Sequence, residues 1–440
     1  MTSLFSSERV LDPAGYGQWG LSQGQFQDIL DFVTRAARTQ GLEVTLGDRA
    51  EPYPLLPSLV QLDAGAEQDL ARTVPHVYQA LLRIVRAHRH DAQLRAFLDV
   101  PRALRRWTDA SPARDDRVDF CRFDFVGGGA DAKVVEFNAN CPGGTLFTGA
   151  YDRLWQEQPA IASVLSAWDV RPSTISRPFW FPDFVLAHAH RARGTTPQGP
   201  VAVFHKPGGN TLELAKLVEL LAQRGRRAFL TCPAAPDWHD AQTGYLKYSV
   251  QAALGDIDRW ERFLGRLVDG RMTVVNPLPG RWIGDNKLCL AAMSDTRFAR
   301  LFTDDENNAI QRLIPYSRKV GDGVEPRELR RARADWVLKG PYDTRGDSVH
   351  IGSEQTPDRW NRLVGEAAEK GWLAQQMIPP GTRNWQEQTL YQDLSIVLLD
   401  GAWAGYTSRL SQNLKVNVAK GGGRQVILGH ASVRWPAEAA

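Results

Sequence analysis

From Ser22 to about Leu98 apolar residues recur at helical spacing, first as Phe26, Ile29, Leu30, Phe32 and Val33, then as Val77, Leu81, Leu82, Ile84 and Val85. The Pro-rich piece Pro52–Pro57 links these two helical stretches, and the whole segment reads as a helical cover. The period then changes to two. Arg122–Val126 and Lys133–Asn138 read as strands around a Gly-rich turn, followed by a tight Pro-Gly-Gly loop and a helical pattern from Tyr151 to Trp168. Pro172–Pro182 reads as a linker. Beyond it, Val201–Phe204, the loop His205–Thr211, a helix from about Leu212 to Arg224 and the strand Ala228–Thr231 form a βαβ unit, which predicts part of a parallel sheet.

The rest of the chain alternates in the same way. Helices are predicted over Arg259–Val268, about Asp285–Ala299 and Trp360–Lys370, with strands at Thr273–Val275, Trp336–Lys339, Val349–Ile351 and Trp372–Met377. The loop Gly340–Asp347 reads as a flap between two of those strands. Ser395–Leu399 and Gly405–Leu410 around Asp400-Gly401 predict a hairpin, and Asn417–Gly423 is a glycine loop. Mixed elements of this kind predict an α+β fold that contains an α/β unit.

Composition narrows the picture by exclusion. The chain has 440 residues, 43% hydrophobic and 23% charged, ordinary values for a globular protein with two or three cores. Lys+Arg 53 against Asp+Glu 50 gives a net charge of +3, which supports neither a nucleic-acid nor a membrane partner. No stretch approaches roughly 18 uncharged apolar residues, and the first residues lack a signal-peptide pattern, so a cytoplasmic protein is expected. Cys121, Cys141, Cys232 and Cys289 are widely spread without CxxC spacing, against a disulfide scaffold or zinc site.

The candidate chemistry starts in Cys121–Gly144. Glu136 and Asn138 stand at i and i+2 of one strand and share a face. If the hairpin sets Asp124 beside them, two carboxylates and an amide converge, a hard-oxygen set suited to Mg²⁺. Alone, the stretch is equally a hairpin with polar residues toward water and Phe123, Phe125 and Phe137 toward a core. Further along, Lys287 opens a helix, Lys339 ends a strand before the flap, and Gln375-Gln376 ends the next strand. Arg409, Asn413, Asn417 and Gly421-Gly422-Gly423 follow the hairpin. Lysines on neighbouring elements suit phosphate oxygens, and glycine loops bring backbone N–H groups to them. The loop Pro207-Gly208-Gly209-Asn210 is neither a GxGxxG nor a Walker loop and reads as a packing turn. His205, Arg383 and Trp385 fit either a substrate pocket or core and surface positions.

Taken together these motifs resemble the ATP-grasp superfamily. Asp285-Asn286-Lys287 is similar to its D-x-K helix, Ile314-Pro315 to the Pro-containing strand, and Val337-Leu338-Lys339 to the second lysine strand. Leu373-Ala374-Gln375-Gln376 looks like its adenine hinge, and Arg409 with Asn417-Val418-Ala419-Lys420-Gly421-Gly422 like its R…N-x-x-x-G-G segment. Its last element, R-V-D-F…E-V-N-x-x-P-G, matches Arg122-Phe123-Asp124-Phe125…Glu136-Phe137-Asn138…Pro142-Gly143, which stands near the front of this chain. That order resembles the circularly permuted branch, with proteins similar to glutathionylspermidine synthase. Departures are Gly340 after the second lysine, a flap poor in glycine, and glutamines at the hinge.

The resemblance implies an ATP-grasp fold with five segments. These are an N-terminal helical region (1–116), a metal-binding segment (117–170), an inserted substrate-side α/β domain (171–275), the lysine and glycine-loop subdomains (276–430) and a tail (431–440). It implies ATP-dependent joining of a carboxylate to an amine through an acylphosphate, with ADP and phosphate released. Mg²⁺ would sit on Asp124, Glu136 and Asn138. ATP would meet Lys287, Lys339, Gly346, Gln375, Gln376, Asn417, Gly421 and Gly422, and Arg122 and Arg409 would be catalytic. Lys319 is a weaker ATP candidate. The partners implied are a small-molecule or peptide carboxylate and an amine acceptor. A degenerate ATP-binding scaffold and a phosphotransferase without an amine acceptor remain as alternatives.

Overall fold

A computed structural model of the chain describes residues 3–46, 49–195, 197–342, 346–385, 388–416 and 422–436. Mixed helices and strands are organised around three sheets and one short hairpin, Glu43–Leu46 with Arg49–Pro52. The main sheet runs in the order Phe5–Leu11, Leu55–Leu62, Gly423–His430, Ala402–Ser411, Leu394–Leu399, Phe120–Val126, Lys133–Asn138. Its last four strands are an antiparallel meander made from two hairpins far apart in sequence. The seam sets Ser395 opposite Asp124 and Val397 opposite Arg122.

Period-two patterning explains this seam. Phe123, Phe125, Phe137, Leu394, Ile396 and Leu398 share a large core with the helix Ala64–Ala87 and the helix Leu288–Ser294. Burying these side chains supplies most of the driving force, about 1.5–3 kcal/mol for each large apolar residue fully removed from water. The intervening residues Arg122, Asp124, Glu136, Asn138, Ser395, Thr407 and Arg409 are thereby committed to the opposite face.

The predicted βαβ unit is present. Thr273–Val275, Thr243–Lys247, Val201–His205 and Ala228–Thr231 form a four-stranded sheet in which every pairing is parallel. A five-stranded sheet, in the order Gly323–Val324, Ser317–Val320, Leu373–Gln376, Trp336–Lys339, Val349–Ile351, packs against the helix Pro357–Lys370. That helix begins at a Thr356 cap and stops at Gly371, whose φ of 60° is the left-handed conformation glycine adopts without strain.

Several expectations need correction. The N-terminal region 1–116, expected to be helical, holds the helices Gln23–Thr39 and Ala64–Ala87, but it also gives Phe5–Leu11 and Leu55–Leu62 to the main sheet. Pro57 made the latter read as a linker. It lies where the pairing with Gly423–His430 is irregular, between Leu55↔Arg424 and Leu59↔Val426, a place that tolerates a missing N–H. The Pro172–Pro182 linker runs into the helix Trp180–Arg193, with Pro182 in the first turn where no helical N–H bond is lost. The helix expected over Asp285–Ala299 is Leu288–Ser294 followed by a 3₁₀ turn at Thr296–Leu301, with Asp295 capping between them.

Candidate functional site

The polar face of the meander carries a chain of alternating charge. Arg122 grips Asp124 with two nitrogens, Nε to Oδ1 at 2.6 Å and Nη2 to Oδ2 at 2.9 Å. Arg409 approaches the same carboxylate through Nη2 at 3.3 Å and is held from behind by Asp393 through Nε at 2.7 Å and Nη2 at 2.5 Å. Burial works to protonate Asp124, but the Arg122 and Arg409 charges and hydrogen bonds from Arg122 and Ser395 outweigh it and hold the carboxyl well below its usual range. The result is a row of alternating charge, Arg122, Asp124, Arg409, Asp393, in which burial raises the Asp393 carboxyl above its ordinary value against the opposing pull of Arg409.

Beside it lies a more open pair. Glu136 sits directly across from Asp124 and binds the Lys287 ammonium at 2.9 Å. The Lys287 side chain is 2% exposed and that of Glu136 29%. Lys287 is placed there by its neighbours. Asp285 Oδ1 accepts the N–H groups of Ala139 and Asn140, fixing the turn just after Asn138, and Asn286 ties Leu98 and Tyr342 together. Burial raises the Asp285 carboxyl above its ordinary value in spite of Lys287 nearby. From the small sheet, Lys339 donates to the Val135 carbonyl at 2.8 Å and to Gln375 Oε1 at 2.7 Å. Both lysines therefore converge on Val135-Glu136, Lys287 from the start of the helix Leu288–Ser294 and Lys339 from the five-stranded sheet.

Asn138 faces the same way, opposite Arg122, and its Nδ2 lies 3.5 Å from the Arg122 carbonyl oxygen. The donor set is two carboxylates and an amide, all hard oxygens, which fits Mg²⁺ and not a soft metal. Asp124 is engaged by two guanidinium groups, so the ligands best placed to receive a cation are Glu136 and Asn138. Among the described residues no three His, Cys, Asp or Glu side chains cluster into a self-sufficient metal cage.

The remaining expected residues are distributed as follows. Gln375 faces Lys339 and also donates to Ser317 Oγ at 3.2 Å, whereas Gln376 at the strand end is exposed and pairs through its backbone with Tyr316. Gly346 takes a φ of 71° just before Val349–Ile351, with open space where a side chain would be. Gly422 leads into Gly423–His430. Asn417 and Gly421 lie outside the described residues. Lys319, in register with Lys339 across Leu373, donates to the Phe97 carbonyl at 2.7 Å and is committed to that contact. Arg383 is tied to Asp12, Ser58 and Gln425, a scaffold role.

Three functional candidates escaped the motif reading. Asp393 immediately precedes an apolar strand and has no sequence mark of its own. Arg424 is buried, and its hydrogen bonds go to the hydroxyls of Tyr53, Thr148 and Thr407. A side chain at Gly144 would meet Arg424 Nη2 at 2.6 Å, so this glycine lets the guanidinium reach the loop before the helix Thr145–Gln156. Third, Glu213 and Lys247 of the parallel-sheet region form a 2.6 Å ion pair, and Glu213 accepts the Gly144 and Leu146 N–H groups at that helix start. The glycines before Arg424 and the Pro-Gly-Gly loop were the available signals.

No protein-family model and no curated protein matches the chain. Among solved structures, a glutathione synthetase-like effector from Globodera pallida, in its apo form, aligns with a TM-score of 0.56 and 14% identity, covering 92% of this chain and 97% of that one. A protein provisionally assigned as a gamma-glutamylcysteine synthetase, from Methylobacillus flagellatus KT, aligns at a TM-score of 0.36 and 13% identity over 77% of this chain and 83% of that one. No helix among the described residues is long and apolar enough to cross a membrane. The chain shares the fold of a glutathione synthetase-like protein, in keeping with the ATP-grasp resemblance of its motifs.

Proposed function

We propose that the protein is an ATP-dependent carboxylate–amine ligase of the circularly permuted ATP-grasp type. The observation that carries this reading is the convergence of Lys287 on Glu136 and Lys339 on the adjoining Val135 carbonyl, beside Arg122 and Arg409 on Asp124. What supports the permuted order is the seam between Phe120–Val126 and Leu394–Leu399, which joins the front and back of the chain into one meander. In this reading 117–170 and 276–430 form the nucleotide unit, and 171–275 is the inserted substrate-side domain that reaches the loop before Thr145 through Glu213 and Lys247.

Lys287 and Lys339 bind the nucleotide phosphates, Gln375 and Gln376 meet the adenine edge, and the segment around Gly346 and the Asn417–Gly422 loop cover the phosphates. Glu136 and Asn138, with Asp124 across from Glu136, would hold Mg²⁺, which would neutralise phosphate charge. The carboxylate of the acid attacks the γ-phosphorus to give an acylphosphate and ADP. The amine then displaces phosphate to form the amide. Arg122 and Arg409 stay charged throughout and offer fixed donors to the oxygens that gain charge. Arg424, buried with hydroxyl partners among the described residues, is suited to anchor the acid's carboxylate. Positioning and charge stabilisation, without a dedicated general base, are sufficient for this chemistry.

ADP release measured with a panel of amino-acid and peptide carboxylates, with and without amines, tests the proposal. Acid-dependent ADP release that yields an amide only when amine is present supports it. ADP release with phosphorylated acid as the end product whatever amine is added favours a phosphotransferase. No acid-dependent release by a folded protein contradicts both.

A further inference from the structure

We propose that the cavity between the turn 111–117, the helix Trp180–Arg193 and the strand Thr273–Val275 binds a small oxyanion, of carboxylate or phosphate size, together with one proton. This site shares no residue with the proposed nucleotide site and does not depend on it. Arg114, Asp115, Arg117 and His188 bring polar groups to the cavity, and apolar side chains such as Met272 and Leu278 close it. It holds about 30 Å³, two to three times the roughly 10–15 Å³ that a single water needs, so a compact anion fits and a nucleotide does not. Two features point to a ligand. The His188 side chain is 2% exposed, with Nδ1 3.0 Å from Asp119 Oδ2. Asp119 is not part of the cavity wall, so the imidazole turns its other edge inward, and Nε2 there has no hydrogen-bond partner among the described residues. Buried polar atoms are rarely left in that state. The second feature is Arg114. A side chain at Gly270 would meet its Nη2 at 3.2 Å, which sets the guanidinium at the cavity rim, and no hydrogen bond or salt bridge holds it among the described residues.

The charges around His188 set the sign of the ligand. From the turn, Asp115 faces Arg117 and Arg114. Asp119, just before the strand Phe120–Val126, accepts Arg117 Nε at 3.0 Å on the oxygen that also faces His188. On the helix of His188, Arg191 is paired with Asp400, and Arg193 donates to the Gly270 carbonyl at 3.0 Å. Beside Gly270, Asp269 and Arg271 pair with each other. Arginines outnumber aspartates in this set, so positive charge is in excess even around a neutral imidazole. With Nδ1–H directed at Asp119, the neutral ring leaves a bare lone pair at Nε2. The protonated ring leaves an unmatched N–H and one more positive charge. An anion that enters with a proton answers both states at once: Nε2–H donates to one oxygen, and the Arg114 guanidinium donates to another.

The test is equilibrium dialysis of the full chain against labelled sulfate and labelled acetate, which both stay fully ionised between about pH 6 and 8. Wild type, Arg114→Ala and His188→Gln are compared. Wild type is expected to bind at least one probe saturably, with affinity falling by up to about tenfold per pH unit as pH rises, the mark of one proton taken up. Tighter sulfate binding assigns the site to phosphate-like anions, and tighter acetate binding assigns it to carboxylates. Arg114 is exposed, so Arg114→Ala should keep the fold and weaken binding by about tenfold. His188→Gln keeps a hydrogen-bonding side chain but cannot take up the proton, and the pH dependence should vanish with it. No saturable binding of either probe at pH 6 overturns the proposal. Undiminished affinity in Arg114→Ala, or a pH slope that survives in His188→Gln, also overturns it and places the anion on other cations of the chain. Should His188→Gln not fold, the wild-type pH slope and the loss in Arg114→Ala decide by themselves.

Discussion

Asp124 and Asp152 are both buried carboxylates, at 4% and 5% exposure, and each accepts hydrogen bonds from two side chains or more. Their surroundings differ in one respect. Asp124 faces two guanidinium groups and is kept ionised. Asp152, on the helix Thr145–Gln156, accepts hydrogen bonds from Gln156 and Ser173 with the Arg153 charge nearby, and burial outweighs these and pushes its carboxyl up to about 6. The same side chain in the same depth of protein thus serves two purposes. At Asp152 the polar groups satisfy a carboxyl that can protonate, whereas at Asp124 permanent cations maintain a fixed negative charge on the face where the chemistry is proposed.

The sharpest way to break this contrast is to neutralise each carboxylate. Asp124→Asn leaves Arg122 and Arg409 buried with too few anions and is expected to destabilise the fold by about 3–5 kcal/mol, read from urea denaturation at pH 7. Asp152→Asn should do the opposite. The folded carboxyl at about 6 lies above the unfolded value of about 3.9, so the folded state binds more protons between those limits and wild-type stability falls as pH rises through them. Above pH 6 the full penalty is present, and the amide is expected to gain about 2–3 kcal/mol over wild type at pH 8 and little at pH 4. Asp124 has the reverse sign: its stabilisation is present above about pH 4 and is lost as pH falls toward its depressed folded value. A stability difference between wild type and Asp152→Asn that is flat from pH 5 to 8 would remove the distinction.

Glu136→Gln sharpens the comparison from the other side. Its pair with Lys287 is part-exposed, and the glutamine oxygen can still accept the ammonium's hydrogen bond, so the stability loss should be only about 1–2 kcal/mol. Its acid-dependent ADP release should nevertheless fall by about 100-fold or more. If loss of turnover simply tracked loss of folded protein across Asp124→Asn and Glu136→Gln, Glu136 would have no role beyond structure.

The parts legible in the sequence were those with local patterns. The Cys121–Gly144 hairpin, the βαβ unit, the flap strands and the Ser395–Leu410 hairpin all carried their period and their turn residues within a short window. The strands Leu55–Leu62, Thr243–Lys247 and Gly423–His430 were not read, because each gains its meaning from partners far away. Leu55–Leu62 carries a proline, and its pairing with Gly423–His430 spans nearly the whole chain. The site followed the same rule. Asp124, Glu136, Asn138, Lys287 and Lys339 stood out through motif order. Asp393 became visible only once the fold placed it behind Arg409, and Arg424 only through the lack of a carboxylate among its described hydrogen-bond partners. Lys319 lies in register with Lys339 across Leu373, on the same sheet face, and is set apart by its hydrogen bond to the Phe97 carbonyl.

The most direct measurement is trapping of the activated acid. The protein is incubated with MgATP, hydroxylamine and the carboxylate panel, and hydroxamate is quantified against ADP. A carboxylate–amine ligase is expected to give hydroxamate and ADP in equal amounts, with both lost in Glu136→Ala while the fold is retained. ADP without hydroxamate, or turnover that survives Glu136→Ala, would contradict the account.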